Sequence, residues 1–257
     1  NTAYKRNELK YLMTNSEAEN IFIINGFRDS DYIEILYDLA PELRTMQRGA
    51  VKSETFPHLK RVCFLGVEKH RGMYSIPEIM GLARTVTDEQ LRERQATFTC
   101  DDVVNMQYTS GTTGPPKGAE LTHFNMFYNA LYTRDRIAHI GPDDVALAVL
   151  PLFHSFGQTV IHNACILAGA TISMLPGFDT HKALRVMARD RVTVIAAVPT
   201  MYYFMLSASD TGKYDLSSIR MAISGGAALP VDVLTRVEER FNVRILEGYG
   251  LSETSPV

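Results

Sequence analysis

Tyr108-Thr109-Ser110-Gly111-Thr112-Thr113-Gly114-Pro115-Pro116-Lys117-Gly118 packs three glycines, four Ser/Thr hydroxyls and one lysine into eleven residues. It follows the run Val103 to Met106 and precedes a helical pattern that opens near Thr122. The pattern predicts a strand–flexible loop–helix unit able to wrap a polyphosphate. Glycines let the backbone approach closely and turn N–H groups inward. The hydroxyls add hydrogen bonds, and Lys117 supplies a mobile positive charge. The segment is not a Walker A loop, which needs Lys directly after Gly and before Ser or Thr, whereas Lys117 follows Pro116. Read without function, it is a polar turn.

Outward from this segment, strand-like and helix-like patterns alternate. Before it, the pattern predicts helices over Glu8–Ser16 and Asp31–Leu39, strands over Ile21–Ile24 and Arg61–Leu65, and a mostly helical stretch from Met73 to Arg94. After it come a helix over Thr122–His139, a strand over Val145–Leu150 and a buried helix over Phe156–Leu167. A strand over Ala170–Leu175, an amphipathic helix over Asp179–Arg189 and a strand over Val192–Ala196 follow, with a further helix opening at Pro199. Met221–Ser224 and Val243–Glu247 read as strands around a helix over Pro230–Phe241. Near-continuous apolar strands alternating with helices predict an α/β fold of mostly parallel sheets flanked by helices. A composition shift between Thr97 and Asp102 marks a candidate subdomain seam.

Three further segments carry candidate chemistry. In Glu247-Gly248-Tyr249-Gly250-Leu251-Ser252-Glu253-Thr254 the glycines permit a tight turn and the Tyr249 ring can cover a purine face. Ser252 can donate to a phosphate oxygen, and Glu253 can hold a hard cation such as Mg²⁺. Ser224-Gly225-Gly226-Ala227-Ala228-Leu229-Pro230 is a strand end leading into a helix, and its small residues allow a flat base to lie on the backbone. Pro151-Leu152-Phe153-His154-Ser155-Phe156-Gly157 places a histidine in an apolar segment, most simply a satisfied core histidine. Read singly, the first two are turns, and Met201 to Met205 is core.

Together these segments resemble the adenylate-forming enzymes, the acyl-CoA synthetase and luciferase-like superfamily. The first matches their Tyr/Phe-Thr-Ser-Gly-Ser/Thr-Thr-Gly-x-Pro-Lys-Gly signature at each position. The Tyr249 segment is similar to their Tyr-Gly-x-Thr-Glu motif, with Ser252 where Thr is usual, and the His154 segment to their Pro-Leu-Phe-His-x-x-Gly motif. The Gly225 segment resembles their adenine-binding stretch, and all four stand in the superfamily's order across essentially the whole chain. The resemblance implies activation of a carboxylic acid by ATP to acyl-AMP, then transfer to coenzyme A. Thr109, Ser110, Gly111, Thr112, Thr113, Gly114 and Lys117 would hold the β- and γ-phosphates, Ser252 the α-phosphate and Glu253 Mg²⁺. Gly225, Gly226, Ala227, Glu247, Gly248, Tyr249 and Gly250 would form the adenine site. His154 and Phe153, with Val198 and Pro199, would line the acid. The stretch Asp102 to Tyr108 and the run Lys117 to His123 lean toward the medium- and long-chain fatty acyl branch.

Composition bounds the alternatives. With a net charge of −3 there is no electrostatic case for nucleic acid. Cys63, Cys100 and Cys165 show no metal spacing or disulfide framework, and read as buried free thiols in a reducing, cytoplasmic setting. Val145–Phe178 and Val192–Ser209 lack charged residues, but prolines and polar residues break both, so membrane contact is expected to be peripheral at most. No initiator Met or signal sequence opens the chain, and it ends just after the Tyr249 motif. By the resemblance it is a partial N-terminal AMP-binding domain. The ribose-binding Asp, hinge and small C-terminal domain with its catalytic Lys would lie beyond it, leaving the isolated chain inactive or nearly so. The alternatives are adenylation of an aryl or amino acid, and a non-catalytic nucleotide-binding module.

Overall fold

The computed structural model describes residues 1–109 and 114–255, which form two compact units, Asn1–Phe98 and Thr99–Val257. In the first unit, α1 (Arg6–Asn15) precedes β1 (Asn20–Ile23). The short antiparallel strands β2 (Gly26–Phe27) and β3 (Ser30–Asp31) lead into α2 (Tyr32–Leu39). The Asp31 carboxylate starts α2 by accepting the Glu34 N–H at 2.9 Å. β4 (Arg61–Phe64) and β5 (Met73–Ser75) complete a parallel sheet of order β1-β4-β5. Its core is built on Leu36, Leu43, Phe56, Val62, Phe64 and Met73.

The stretch after Met73 departs from the helical expectation. Met73 to Ser75 extends beside β4 with Met73 and Ser75 buried, and helix begins only at α3 (Ile76–Leu82). The signal was present: Ser75 and Glu78 form a reciprocal cap, Glu78 accepting from both the N–H and the hydroxyl of Ser75. A second cap at Thr87 opens α4 (Asp88–Gln95).

The second unit begins with β6 (Val103–Thr109) and β7 (Lys117–Thr122), followed by α5 (His123–Tyr132). A five-stranded sheet follows: β8 (Val145–Ala148), β9 (Thr171–Met174), β10 (Val194–Ala197), β11 (Met221–Ser224) and β12 (Ile245–Glu247). All its pairings are parallel, in the order β12-β11-β10-β8-β9. The connecting helices are α6 (Ala164–Ala168), α7 (Thr180–Arg189), α8 (Pro199–Ser207) and α9 (Val231–Phe241). Two expected helices are less regular than their periodicity implies. The one after Thr122 widens into a π turn over Thr133–Ile137, and the one after Phe156 is a π turn over Gly157–Asn163 before α6.

β8 and β10 sit mid-sheet, and Ala146, Leu147, Val194 and Ile195 are buried on both faces, as parallel strands under helices require. α7 and α9 lay Leu184, Met187, Val233, Val237 and Phe241 into the same core. α8 is fixed by Tyr202, which is fully buried and donates its hydroxyl to the Ile223 carbonyl at 2.9 Å. Of the Met201–Met205 cluster, Tyr202 and Met205 are core, whereas Tyr203 and Phe204 are exposed. Cys63 and Cys165 are buried; Cys100 is exposed, correcting the expectation of three buried thiols. Among the described residues no helix is long and apolar enough to cross a membrane.

The amino end of this sheet is closed by one polar network. Asp144, Thr193 and Arg220 each stand immediately before a strand, β8, β10 and β11. Arg220 grips Asp144 with both arms, Nε at 2.8 Å and Nη2 at 2.6 Å. Thr193 Oγ1 donates at 2.6 Å and Gly141 N at 2.8 Å. Burial disfavours the carboxylate's charge, but these partners outweigh it and bring its pKa down to about 2.

Candidate functional site

The other end of the sheet gathers the sequence segments singled out above. β8 runs out into Pro151–Gly157, β10 into Val198-Pro199, β11 into Gly225–Ala227 and β12 into Gly248–Glu253. Counted from β8, the strand order is 2-1-3-4-5, so the chain reverses direction across the sheet between β8 and β10. In open α/β sheets the crevice outside the carboxyl ends at such a reversal is the ordinary ligand site. The His154 segment and Val198-Pro199 are the exits that flank it.

Beside that crevice the Gly225 and Tyr249 segments are tied together. Gly248 N donates to the Ser224 carbonyl at 2.7 Å, and Glu247 Oε1 accepts the Leu229 N–H at 3.0 Å. A β-carbon on Gly225 would lie 3.1 Å from the Phe156 ring and 3.3 Å from the Gly248 carbonyl, so the three segments close to within one methyl group. Gly226 has φ +81°, a conformation that favours glycine, and its open side meets Val198. Gly226 and Ala227 are exposed, and Tyr249 is 83% exposed, an aromatic ring presented to solvent rather than packed in the core.

His154 is exposed, against the reading of a core histidine. Its Nδ1 accepts the Phe156 N–H at 3.2 Å, which in the neutral ring leaves the proton on Nε2. Phe153, beside it, is also exposed, while Phe156 is buried. Two side chains outside the motifs reach this segment from β6. Gln107 Nε2 donates to the Phe153 carbonyl at 2.8 Å, and Asn105 Nδ2 to Gln158 Oε1 at 3.0 Å. The one sequence signal for them is a pair of amides two apart in a strand, of which Asn is disfavoured there.

The phosphate-loop candidate has a different frame from the one expected. It joins two antiparallel strands, β6 and β7, and no helix follows it directly. Lys117-Gly-Ala-Glu-Leu-Thr122 pairs with β6 along its length, so a strand stands between the loop and α5, which opens at its Thr122 cap where the sequence pattern places it. Thr109 and Lys117 face each other across the base of the loop, Thr109 Oγ1 lying 3.4 Å from the Lys117 carbonyl. Lys117 and Gly114 are exposed. Ser110, Gly111, Thr112 and Thr113 lie outside the described residues.

The turn Ser252–Thr254 packs against both strands of this hairpin, bringing Ser252 and Glu253 to the element that carries Lys117. Asn125, the third residue of α5, holds the turn from below by donating to Ser255 Oγ at 3.0 Å. Ser252 is partly exposed and Glu253 exposed. Among the described residues no three His, Cys, Asp or Glu side chains cluster as a metal cage. A single exposed carboxylate does fit Mg²⁺, which keeps waters and takes its other ligands from phosphates. Among the described residues, His154, Lys117 and Glu253 share no hydrogen bond or ion pair, so the arrangement is a set of separate contact points.

The sequence model of the family described as AMP-binding enzyme matches residues 1–257. The Bacillus subtilis (strain 168) protein YngI, whose name places it with the acyl-CoA synthetases, is 39% identical over 258 residues, covering 100% of this chain and 47% of that protein. The mitochondrial medium-chain acyl-CoA ligase ACSF2 of Danio rerio is 32% identical over 261 residues, 100% of this chain and 43% of its own. Among solved structures, ATP-bound MatB from Rhodopseudomonas palustris superposes with a TM-score of 0.72 at 27% identity, covering 100% of this chain and 44% of that one. The chain spans about half the length of the curated relatives it matches.

Proposed function

The chain belongs to the AMP-binding enzyme family, and on that premise we propose that it carries the nucleotide- and acid-binding core of an ATP-dependent ligase for medium- or long-chain fatty acids. The observation that carries this reading is the convergence of four segments at the carboxyl ends of β8, β10, β11 and β12. The names of its relatives support an acyl-CoA ligase, and the ACSF2 relatives favour medium-chain acids.

In this reading the adenine ring lies on Gly225, Gly226 and Ala227 under Tyr249, with Glu247, Gly248 and Gly250 shaping the turn. Thr109 through Gly114 and Lys117 hold the β- and γ-phosphates, and Ser252 the α-phosphate. Glu253 takes Mg²⁺, which when bound offsets phosphate charge. The fatty acid enters the crevice between the β8 and β10 exits, along Phe153, Val198 and Pro199. His154 Nε2–H donates to a carboxylate oxygen and orients it. No general base is required, because a carboxylate is already ionised near neutrality.

A carboxylate oxygen then forms a bond to the α-phosphorus as the bond from that phosphorus to the bridging oxygen breaks. The products are acyl-AMP and pyrophosphate. The chain's part is in-line placement and neutralisation of the charge on the leaving phosphates by Lys117. For the whole protein we propose a second step, in which the thiol of coenzyme A attacks the acyl carbonyl and AMP leaves.

Calorimetric titration with stable decanoyl-, palmitoyl-, benzoyl- and phenylalanyl-adenylate analogues tests this reading. Preference for a fatty analogue, weakened in Tyr249→Ala, supports it. Preference for the benzoyl or phenylalanyl form reassigns the acid, and binding of ATP with no analogue preference points to a nucleotide-binding module.

A further inference from the structure

We propose that Asn105 and Gln107 are positioning residues that lock the phosphate-loop hairpin to the segment bearing His154, so that acid and ATP binding are coupled. The proposal rests on the adenylation reading above for the coupling, and on geometry alone for the lock. β6 and β7 pair with each other and, among the described residues, with no strand of the five-stranded sheet. A two-stranded hairpin is marginal by itself, so its packing on α5 and the Ser252–Thr254 turn, together with its side-chain anchors, sets where its strands sit. Asn105 and Gln107 are two apart and share one face of β6 with Thr109, at the base of the loop.

Their acceptors bracket the histidine. Gln107 holds the carbonyl of Phe153, immediately before His154. Asn105 holds the side chain of Gln158, whose own N–H donates to the His154 carbonyl at 3.0 Å. A displacement of the β8 exit is therefore passed to the hairpin through two directional bonds. Packing by apolar residues at these positions would bury comparable area without fixing a register. Asn is a poor strand former, so its use at position 105 favours the hydrogen bond over propensity.

The double variant Asn105→Leu/Gln107→Met keeps side-chain size and removes both donors. Two measurements on the full chain decide the proposal. In the first, amide hydrogen exchange is followed without ligand. Exchange across 103–122 is expected to quicken roughly three- to tenfold, as loss of local hydrogen bonds allows, while β8 and β10 stay at wild-type rates. In the second, ATP affinity is measured with and without saturating decanoate. The enhancement of ATP binding by decanoate is expected to fall by about fivefold, within the usual range of site-to-site coupling. Wild-type exchange over 103–122 overturns the lock, and wild-type enhancement overturns the coupling. If the unsubstituted chain binds neither ATP nor decanoate, the adenylation reading and the coupling fall together, while the exchange rates still decide the lock.

Discussion

The Glu247 carboxylate reaches back across the end of the sheet to accept the backbone N–H of Leu229 at 3.0 Å. That bond joins the last residue of β12 to the loop that follows β11. It holds the expected adenine floor in register with the turn that bears Tyr249. Glu247→Ala leaves a partly buried N–H without its partner and is expected to lower stability by about 1 kcal/mol. It is also expected to weaken adenylate-analogue binding, whereas Glu247→Gln keeps an acceptor and stays near wild type. Urea unfolding and calorimetry on the two variants check this.

Gly226 gives the site a backbone conformation open to glycine and disfavoured for other residues, at φ +81°. Gly226→Ala is expected to destabilise the chain by about 1–2 kcal/mol, because an L side chain disfavours the left-handed region. Gly225→Ala meets the Phe156 ring and the Gly248 carbonyl instead. Its cost is expected to be relieved in part by Phe156→Leu, so a double-mutant cycle in urea separates a backbone effect from a packing one.

Asp144 links acid stability to the amino end of the sheet. Its pKa is depressed in the folded chain to about 2, so its contribution is fully present above the unfolded value, near 3.9. The contribution is lost as pH falls through that interval, and amounts to on the order of 2 kcal/mol. Wild type and Asp144→Asn are therefore expected to differ in Tm at pH 7 and to converge by about pH 2. Arg220→Ala, which strands the carboxylate, is expected to be more damaging at pH 7 than Asp144→Asn.

Lys117 stands at the mouth of the loop as an exposed cation. In the ligase proposed above, Lys117→Ala is expected to depress acid-dependent ATP–pyrophosphate exchange by about tenfold or more. It should leave transfer from preformed acyl-AMP to coenzyme A nearly unchanged. Measuring the two half-reactions separately checks the assignment.

The three thiols differ in access. Burial pushes Cys165 up to about 11 and also raises Cys63, whereas Cys100 is exposed. An alkylating reagent at pH 8 is expected to modify Cys100 alone in the folded chain and all three in urea, as peptide mass mapping would show.

The α/β class and the strands of the large sheet were legible because buried parallel strands are short apolar runs between helices, as in Val145–Ala148 and Val194–Ala197. The strand ends carrying His154, Gly225 and Tyr249 followed from the same pattern. The hairpin did not. Lys117-Gly-Ala-Glu-Leu-Thr alternates weakly, and its extended form comes from pairing with β6 rather than from its own residues. Met73-Tyr-Ser was lost for the same reason, its conformation being set by the neighbouring β4. The anchors Asn105 and Gln107 left only the faint trace of two amides in one strand, because each becomes meaningful through a partner some 50 residues away.

Asp144, Thr193 and Arg220 close one end of the five-stranded sheet, while the glycines, His154 and Tyr249 occupy the other. What steadies the scaffold and the proposed ligand site are thus a strand's length apart. Additivity between substitutions at the two ends follows from that distance. A lineage, or an engineer, can redraw the strand exits between β8 and β10 again and again, while the network at the far end keeps the sheet assembled.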